Sequence, residues 1–229
     1  TAGMLRGWQV LDLTDHRGEV GPYLLADLGA DVVKMELPGR CPRPTDSSWP
    51  RHRAYNANKR TVTLTGDPVG DRATVLALVA TSDLVFDAGP PGLLHELALE
   101  TAELTAANPR LVLVLVTPFG VDGPRARQPA SELTIAALGG SLRLQGTPDR
   151  APVQMSVPQV WRHAGAEAAV AALIAHERMR RSERPQFVEV SAQSVMTWTM
   201  LNAMEAHAVQ GRDFQRTGSE LHLNIVEVR

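Results

Sequence analysis

Cysteine is nearly absent: Cys41 is the only one in 229 residues. That excludes an internal disulfide framework and a multi-cysteine zinc site, and a reducing, cytoplasmic setting is expected. Surplus charge is missing as well. Lys and Arg total 23 against 25 Asp and Glu, a formal charge of −2, which gives no electrostatic case for nucleic acid or an anionic membrane surface. Apolar runs such as Leu111 to Val116 are far too short to cross a bilayer. No charged-then-apolar leader opens the chain, so no signal peptide is expected. With 44% apolar and 21% charged residues, disorder is not expected, and the length suits a large domain with a substantial core.

The common catalytic signatures are also missing. There is no G-x-G-x-x-G after a strand, no G-x-x-x-x-G-K-[ST], no G-x-S-x-G and no H-E-x-x-H. The seven histidines, at 16, 52, 95, 163, 176, 207 and 222, share no metal-ligand spacing, so no metal site is expected. Cys41 stands between Arg40 and Arg43, a setting that lowers a thiol pKa, but no partner base is evident for a nucleophile.

What is present is an alternation of short β-branched runs with longer helical patterns, the sign of an α/β fold with a largely parallel sheet. The runs Gln9–Leu13, Asp31–Met35, Val62–Leu64, Leu84–Asp87, Leu111–Thr117 and Gln186–Ser191 read as strands. Helices are expected over Pro22–Leu28, Pro68–Ala80, Glu100–Asn108, Ser131–Leu138, Val160–Arg181 and Ala192–Ala208. Pro22 suits a first helical turn, while Gly29 and Pro109 act as stops. The helix from Val160 is rich in small residues around Gly165, which permits close packing, and its end, His176 to Arg181, is basic, complementing the helix dipole. Residues 37–60 carry Pro38, Pro42, Pro44 and Pro50 with little periodicity and read as irregular. Leu221–Val228 reads as the start of a further strand, its apolar part an edge that favours self-association or a partner chain.

Asn56-Ala57-Asn58-Lys59-Arg60 is a polar, cationic loop entering a strand. Such a loop can hold a phosphate, with Lys as a point charge and Arg as a fork, although exposed Lys-Arg pairs are usually just solvated. Glu167, with His163 one turn before it, is a candidate acid in the Ala-rich helix, though a solvated carboxylate is the commoner arrangement.

Together these segments resemble the family III CoA-transferases, the CaiB/BaiF-type enzymes. The resemblance rests on Leu5 to Thr14, Gly21-Pro22, the block Leu25-Ala26-Asp27-Leu28-Gly29-Ala30-Asp31-Val32-Val33-Lys34-Met35-Glu36, and Asn56 to Arg60. It continues through Pro91-Gly92, Asn108 to Val112, Thr117 to Pro124, and His176 to Ser191, in family order. It implies a Rossmann-like large domain and an interlocked dimer. Coenzyme A or acyl-CoA would be a substrate, with no permanently bound cofactor, and Glu19, Asn56, Asn58, Lys59 and Arg60 would lie at the CoA site. Members of the family transfer CoA between carboxylic acids. An aspartate at a helix start attacks the thioester, a mixed anhydride and then an enzyme thioester follow, and the acceptor carboxylate collects the CoA.

The sequence departs from that pattern at the nucleophile. The family's Val-Pro-x-x-Asp is here Val157-Pro158-Gln159-Val160-Trp161, and no Asp or Glu occurs between Asp149 and Glu167. An indole offers only an N–H donor and forms no anhydride. The family's Glu-Asn-Phe-Arg-Pro-Gly turn is Asp87-Ala88-Gly89-Pro90-Pro91-Gly92, and Ser131-Glu132 stands where the racemase branch has histidine before its acid. The expectation is a subunit or module without its own nucleophile, acting as a homodimer or beside an aspartate-bearing relative. The alternatives are a non-catalytic acyl-CoA-binding protein, or a CoA enzyme using Glu132 or Glu167. Family members are longer, so residues 1–208 are expected to form the large domain and 209–229 a connector toward a small domain missing or only begun.

Overall fold

The computed structural model describes residues 3–89 and 92–218. Strands β1 (Gln9–Asp12), β2 (Asp31–Glu36), β3 (Arg60–Thr63), β4 (Leu84–Ala88), β5 (Val112–Thr117) and β6 (Gln186–Ser191) form one sheet in the order β3-β2-β1-β4-β5-β6. Every neighbouring pair is parallel. The chain winds outward one way from β1 and the other way from β4, so the carboxyl ends of these two strands flank a topological switch point.

Strand residues alternate between two cores because successive side chains point to opposite faces. Val10, Val32, Phe86, Val112 and Val114 pack on one face with α1 (Val20–Asp27) and α7 (Val160–Ser182). Leu11, Val33, Val85 and Leu113 pack on the other, with α3 (Pro68–Val79) and α5 (Thr101–Ala107). Short helices α2 (Trp49–Asn56), α4 (Leu93–Glu96), α6 (Glu132–Leu138), α8 (Ala192–Trp198) and α9 (Leu201–Gln210) complete the described residues, with a 3-10 turn over Ser141–Leu144.

Several boundaries differ from the sequence reading. Residues 37–60 contain a helix, α2, that the pattern hides because none of its residues is buried. β3 begins at Arg60, paired with Val33 of β2, not at Val62. Pro22 is the third residue of α1, still within the turn whose N–H groups lack helical acceptors. The helix expected over Ala192–Ala208 breaks at Thr199–Met200 into α8 and α9. The stop at Gly29 is as expected, with φ at +103°, where a side chain is disfavoured. The basic end of α7 is exposed, and Glu177 pairs with Arg180 and Arg181. Leu221–Val228, with its expected edge, lies outside the described residues.

Helices α1 and α7 cross at Gly21 and Gly165. A Cβ on Gly165 would meet Val20 Cβ at 2.8 Å and Gly21 N at 3.1 Å. Gly165→Ala is therefore expected to destabilise by about 1–3 kcal/mol through overpacking. Urea unfolding that shows equal or higher stability would contradict this close crossing.

Candidate functional site

Asp12, the last residue of β1, is fully buried and ties together Thr14 and Lys34, which line the switch-point crevice. Its Oδ1 accepts from Thr14 N at 2.9 Å, Thr14 Oγ1 at 2.6 Å and Lys34 Nζ at 3.2 Å; its Oδ2 accepts from Lys59 Nζ at 2.7 Å. Burial opposes the charge, but Lys34 and Lys59 outweigh it and hold the carboxyl at about 2. Burial also pulls the Lys59 ammonium below the usual lysine range, against the attraction of Asp12. Asp12 Oδ2, Glu19 O and Asn56 Oδ1, all within 2.9 Å, accept its protons. Three donors meeting three oxygens keep it charged.

The side chains of the cationic loop are engaged within the fold. Asn56 ends α2, and with Lys59 it holds Glu19, which lines the crevice. Lys59 has no donor left for a phosphate. Arg60 is exposed and turns to Asp31 at the start of β2, with contacts of 2.8 and 2.7 Å. Asn58 donates to Asp27 at the end of α1 at 2.6 Å. Of the five residues expected at the CoA site, only Glu19 lines the crevice. A Lys-Arg pair adjacent in sequence is split, one inward and one outward.

The crevice, about 170 Å³, runs between Leu13–Glu19, Lys34–Leu37, Arg40–Pro42 and Gly92–Leu93. Arg17, Lys34, Arg40 and Arg51 face it, and so do Asp15, Glu19, Glu36 and Glu96. Four cations against four carboxylates leave little excess field for a polyanion. The pairs are local: Arg40 with Glu96 at 2.9 Å, Arg51 with Glu19 at 3.4 Å, Arg17 with Asp15 at 2.9 Å. Asp87, at the end of β4, accepts N–H bonds from Ala88, Leu93 and Leu94 and so fixes the start of α4. Burial lifts its carboxyl to about 6 in spite of those three donors. That bonding accounts for an acidic residue here although the positions after it differ from the family's turn.

A second cleft, about 510 Å³, shares Asp15, His16, Arg17, Glu19 and Arg51 with the first and reaches Tyr55, Glu132, Trp161 and Arg162. Trp161 is the second residue of α7, 7% exposed, and belongs to the main core while lining this cleft. The N-terminus of α7 has no side-chain cap of its own. Glu132, from the first turn of α6, supplies one: its Oε1 accepts Gln159 N at 2.6 Å and Val160 N at 2.7 Å. A carboxylate there satisfies orphan donors and complements the dipole. Its Oε2 is buried without a hydrogen-bond partner. Glu167 lies on the exposed face of α7 and lines neither cleft.

Sequence reasoning missed one grouping. His52 of α2, Glu36 at the end of β2 and Cys41 in the following loop converge at one end of the crevice. No spacing rule joins three residue types drawn from a strand, a loop and a helix. Burial, then Glu36, pushes the Cys41 thiol up, opposite to the effect expected from Arg40 and Arg43. Among the described residues, no helix is long and apolar enough to cross a membrane.

Comparison with known proteins agrees with this geometry. The model of CoA-transferase family III matches residues 5–227. Succinyl-CoA:(R)-benzylsuccinate CoA-transferase subunit BbsE of Thauera aromatica is 34% identical over 93% of this chain and 54% of its own length. Succinyl-CoA–D-citramalate CoA-transferase of Chloroflexus aurantiacus is 31% identical over 88% of the chain and 52% of its own. The chain thus spans about half the length of these curated relatives. A crystal structure of a CaiB/BaiF family protein from Brucella suis superposes with a TM-score of 0.84 at 28% identity, covering 99% of this chain and 63% of that one. Sequence along nearly the whole chain and backbone across the same span lead to one assignment: the chain belongs to the family III CoA-transferases.

Proposed function

We propose that this chain provides the large-domain part of an acyl-CoA:carboxylate CoA-transferase and lacks the nucleophile of that chemistry, acting beside a family member that carries the aspartate. One observation carries the reading. The first turn of α7, where the family's aspartate would stand, offers the cleft an indole. The neighbouring Glu132 uses one oxygen to hold the helix end. An indole positions or blocks; it does not attack a thioester. The BbsE relative and the alpha subunit of succinyl-CoA–L-malate CoA-transferase from Chloroflexus aurantiacus, 28% identical over 94% of this chain, are both named as subunits, which supports a heteromeric setting.

The test is intact mass after incubating the chain alone with a panel of acyl-CoA thioesters. No adduct is expected. A second reading has one observation in its favour, the unpartnered Glu132 Oε2 beside the cleft. An adduct mapped to Glu132 would establish it and overturn the first.

Arg60→Ala separates the cationic loop from CoA. Its pair with Asp31 is exposed, so the stability change is expected to stay below about 1 kcal/mol. Because Arg60 does not line the crevice, CoA affinity measured by calorimetry should be unchanged. A clear loss of affinity would return this residue to the CoA site.

A further inference from the structure

We infer that Glu36, Cys41 and His52 form a binding site for a single divalent cation of the zinc class, with its open coordination position facing the switch-point crevice. The inference stands apart from the CoA reading and rests on the geometry of three side chains.

Their ligand atoms all lie within 4.8 Å of one another. His52 Nε2 is 3.3 Å from Glu36 Oε1 and 3.5 Å from Cys41 Sγ. A tetrahedral ion with bonds of about 2.0–2.1 Å to nitrogen and oxygen and about 2.3 Å to sulfur has edges near 3.3 Å for N···O and near 3.5 Å for N···S. Both separations match, and the remaining pair, carboxylate oxygen and sulfur, lies within 4.8 Å.

The direction of approach matters as much as the distances. In a Cys-His-acid catalytic relay the thiol and the carboxylate address opposite ring nitrogens, so that one orients the imidazole while the other gives up a proton. Here sulfur and carboxylate oxygen both face Nε2. Convergence of three donors on one point suits a cation and does not suit a relay.

The donor set also selects the ion. A thiolate, an imidazole and a carboxylate suit a borderline-soft metal better than the hard, all-oxygen preference of magnesium or calcium. Thiolate and carboxylate together carry two negative charges, which a divalent ion neutralises. Side-chain exposures of 15% for His52 and 13% for Glu36 leave the group shielded yet reachable. The backbone supports it: Glu36 is fixed by β2, and His52 by α2 and by stacking on Trp49 at 5.8 Å between ring centroids. All three residues line the crevice. Three protein ligands with a fourth position open to a cavity is the pattern of zinc sites that bind water or a ligand oxygen or sulfur.

Cobalt(II) added to the purified metal-free chain provides the test. One equivalent is expected to bind tetrahedrally and to show a thiolate-to-cobalt charge-transfer band. Since Cys41 is the only cysteine, that band in the wild-type protein itself identifies the ligand. Zinc should displace cobalt and bleach the band. Cys41→Ser should abolish the band, and His52→Gln should weaken zinc binding by about 100-fold or more, beyond the loss typical of outer-shell changes. Cobalt binding without a thiolate band, or zinc affinity unchanged in both variants, would overturn the site. The wild-type spectrum decides the matter even if a variant folds poorly.

Discussion

Asp12→Ala is expected to destabilise the protein by about 3–5 kcal/mol, the range for breaking a buried ion pair by deleting one member. Asp12 is the shared anion of Lys34 and Lys59, and all three side chains are buried. Its removal leaves two ammonium groups close together in a site built for one carboxylate. Lys34 retains the Thr14 carbonyl, and Lys59 retains Glu19 O and Asn56 Oδ1, but dipoles do not replace a counter-charge. Asp12→Asn keeps the shape and an acceptor, and it should cost less than alanine. A loss below about 1 kcal/mol for Asp12→Ala in denaturant unfolding would mean that this network contributes little to stability.

The same carboxylate has a pH signature. Its folded-state value, about 2, lies below the ordinary aspartate value of 3.8. The unfolded chain therefore binds more protons in that interval, and stability rises with pH there. The contribution of Asp12 is fully present above about pH 4 and is lost as pH falls toward 2. In Asp12→Asn the slope of stability over this window should be shallower; an unchanged slope would assign the acid sensitivity to other groups.

The sheet was legible from the sequence because its signal is local. Val10 and Leu11, Val32 and Val33, Val112 and Leu113 alternate between two buried faces, so each strand reads as a continuous apolar run. Helix α2 was not legible, because it buries none of its own residues and leaves no periodic stripe. Site residues divide in the same way. Trp161 stood out through the resemblance, since one position of a motif is enough to show it. The roles of Lys59 and Glu132 could not be read, because they depend on partners 47 and 28 positions away. The grouping of Glu36, Cys41 and His52 depends on where β2 ends and how α2 folds back over it, which no spacing encodes.

Trp161→Asp should not turn this chain into a transferase. The substitution places a carboxyl at the second position of α7, where the helix dipole favours negative charge. That position is already served: Glu132 Oε1 holds Gln159 N and Val160 N. A second carboxylate one residue further along would add a like charge at the same helix end, an unfavourable pairing. The indole also leaves a void, since Trp161 is part of the main core at 7% exposure. The expected cost is roughly 2–4 kcal/mol, from lost burial and incomplete collapse around the gap. Trp161→Phe should recover most of that stability and identify packing as its source. At most traces of acyl-enzyme are expected from Trp161→Asp, because the crevice beside it carries balanced charge and the turn after β4 lacks the side chains of the family pattern. The combination with Glu132→Gln removes the competing charge at the helix start. If intact mass shows stoichiometric acyl-enzyme in the single variant, then the surroundings of position 161 are already catalytically complete, and only the indole holds this chain out of the reaction.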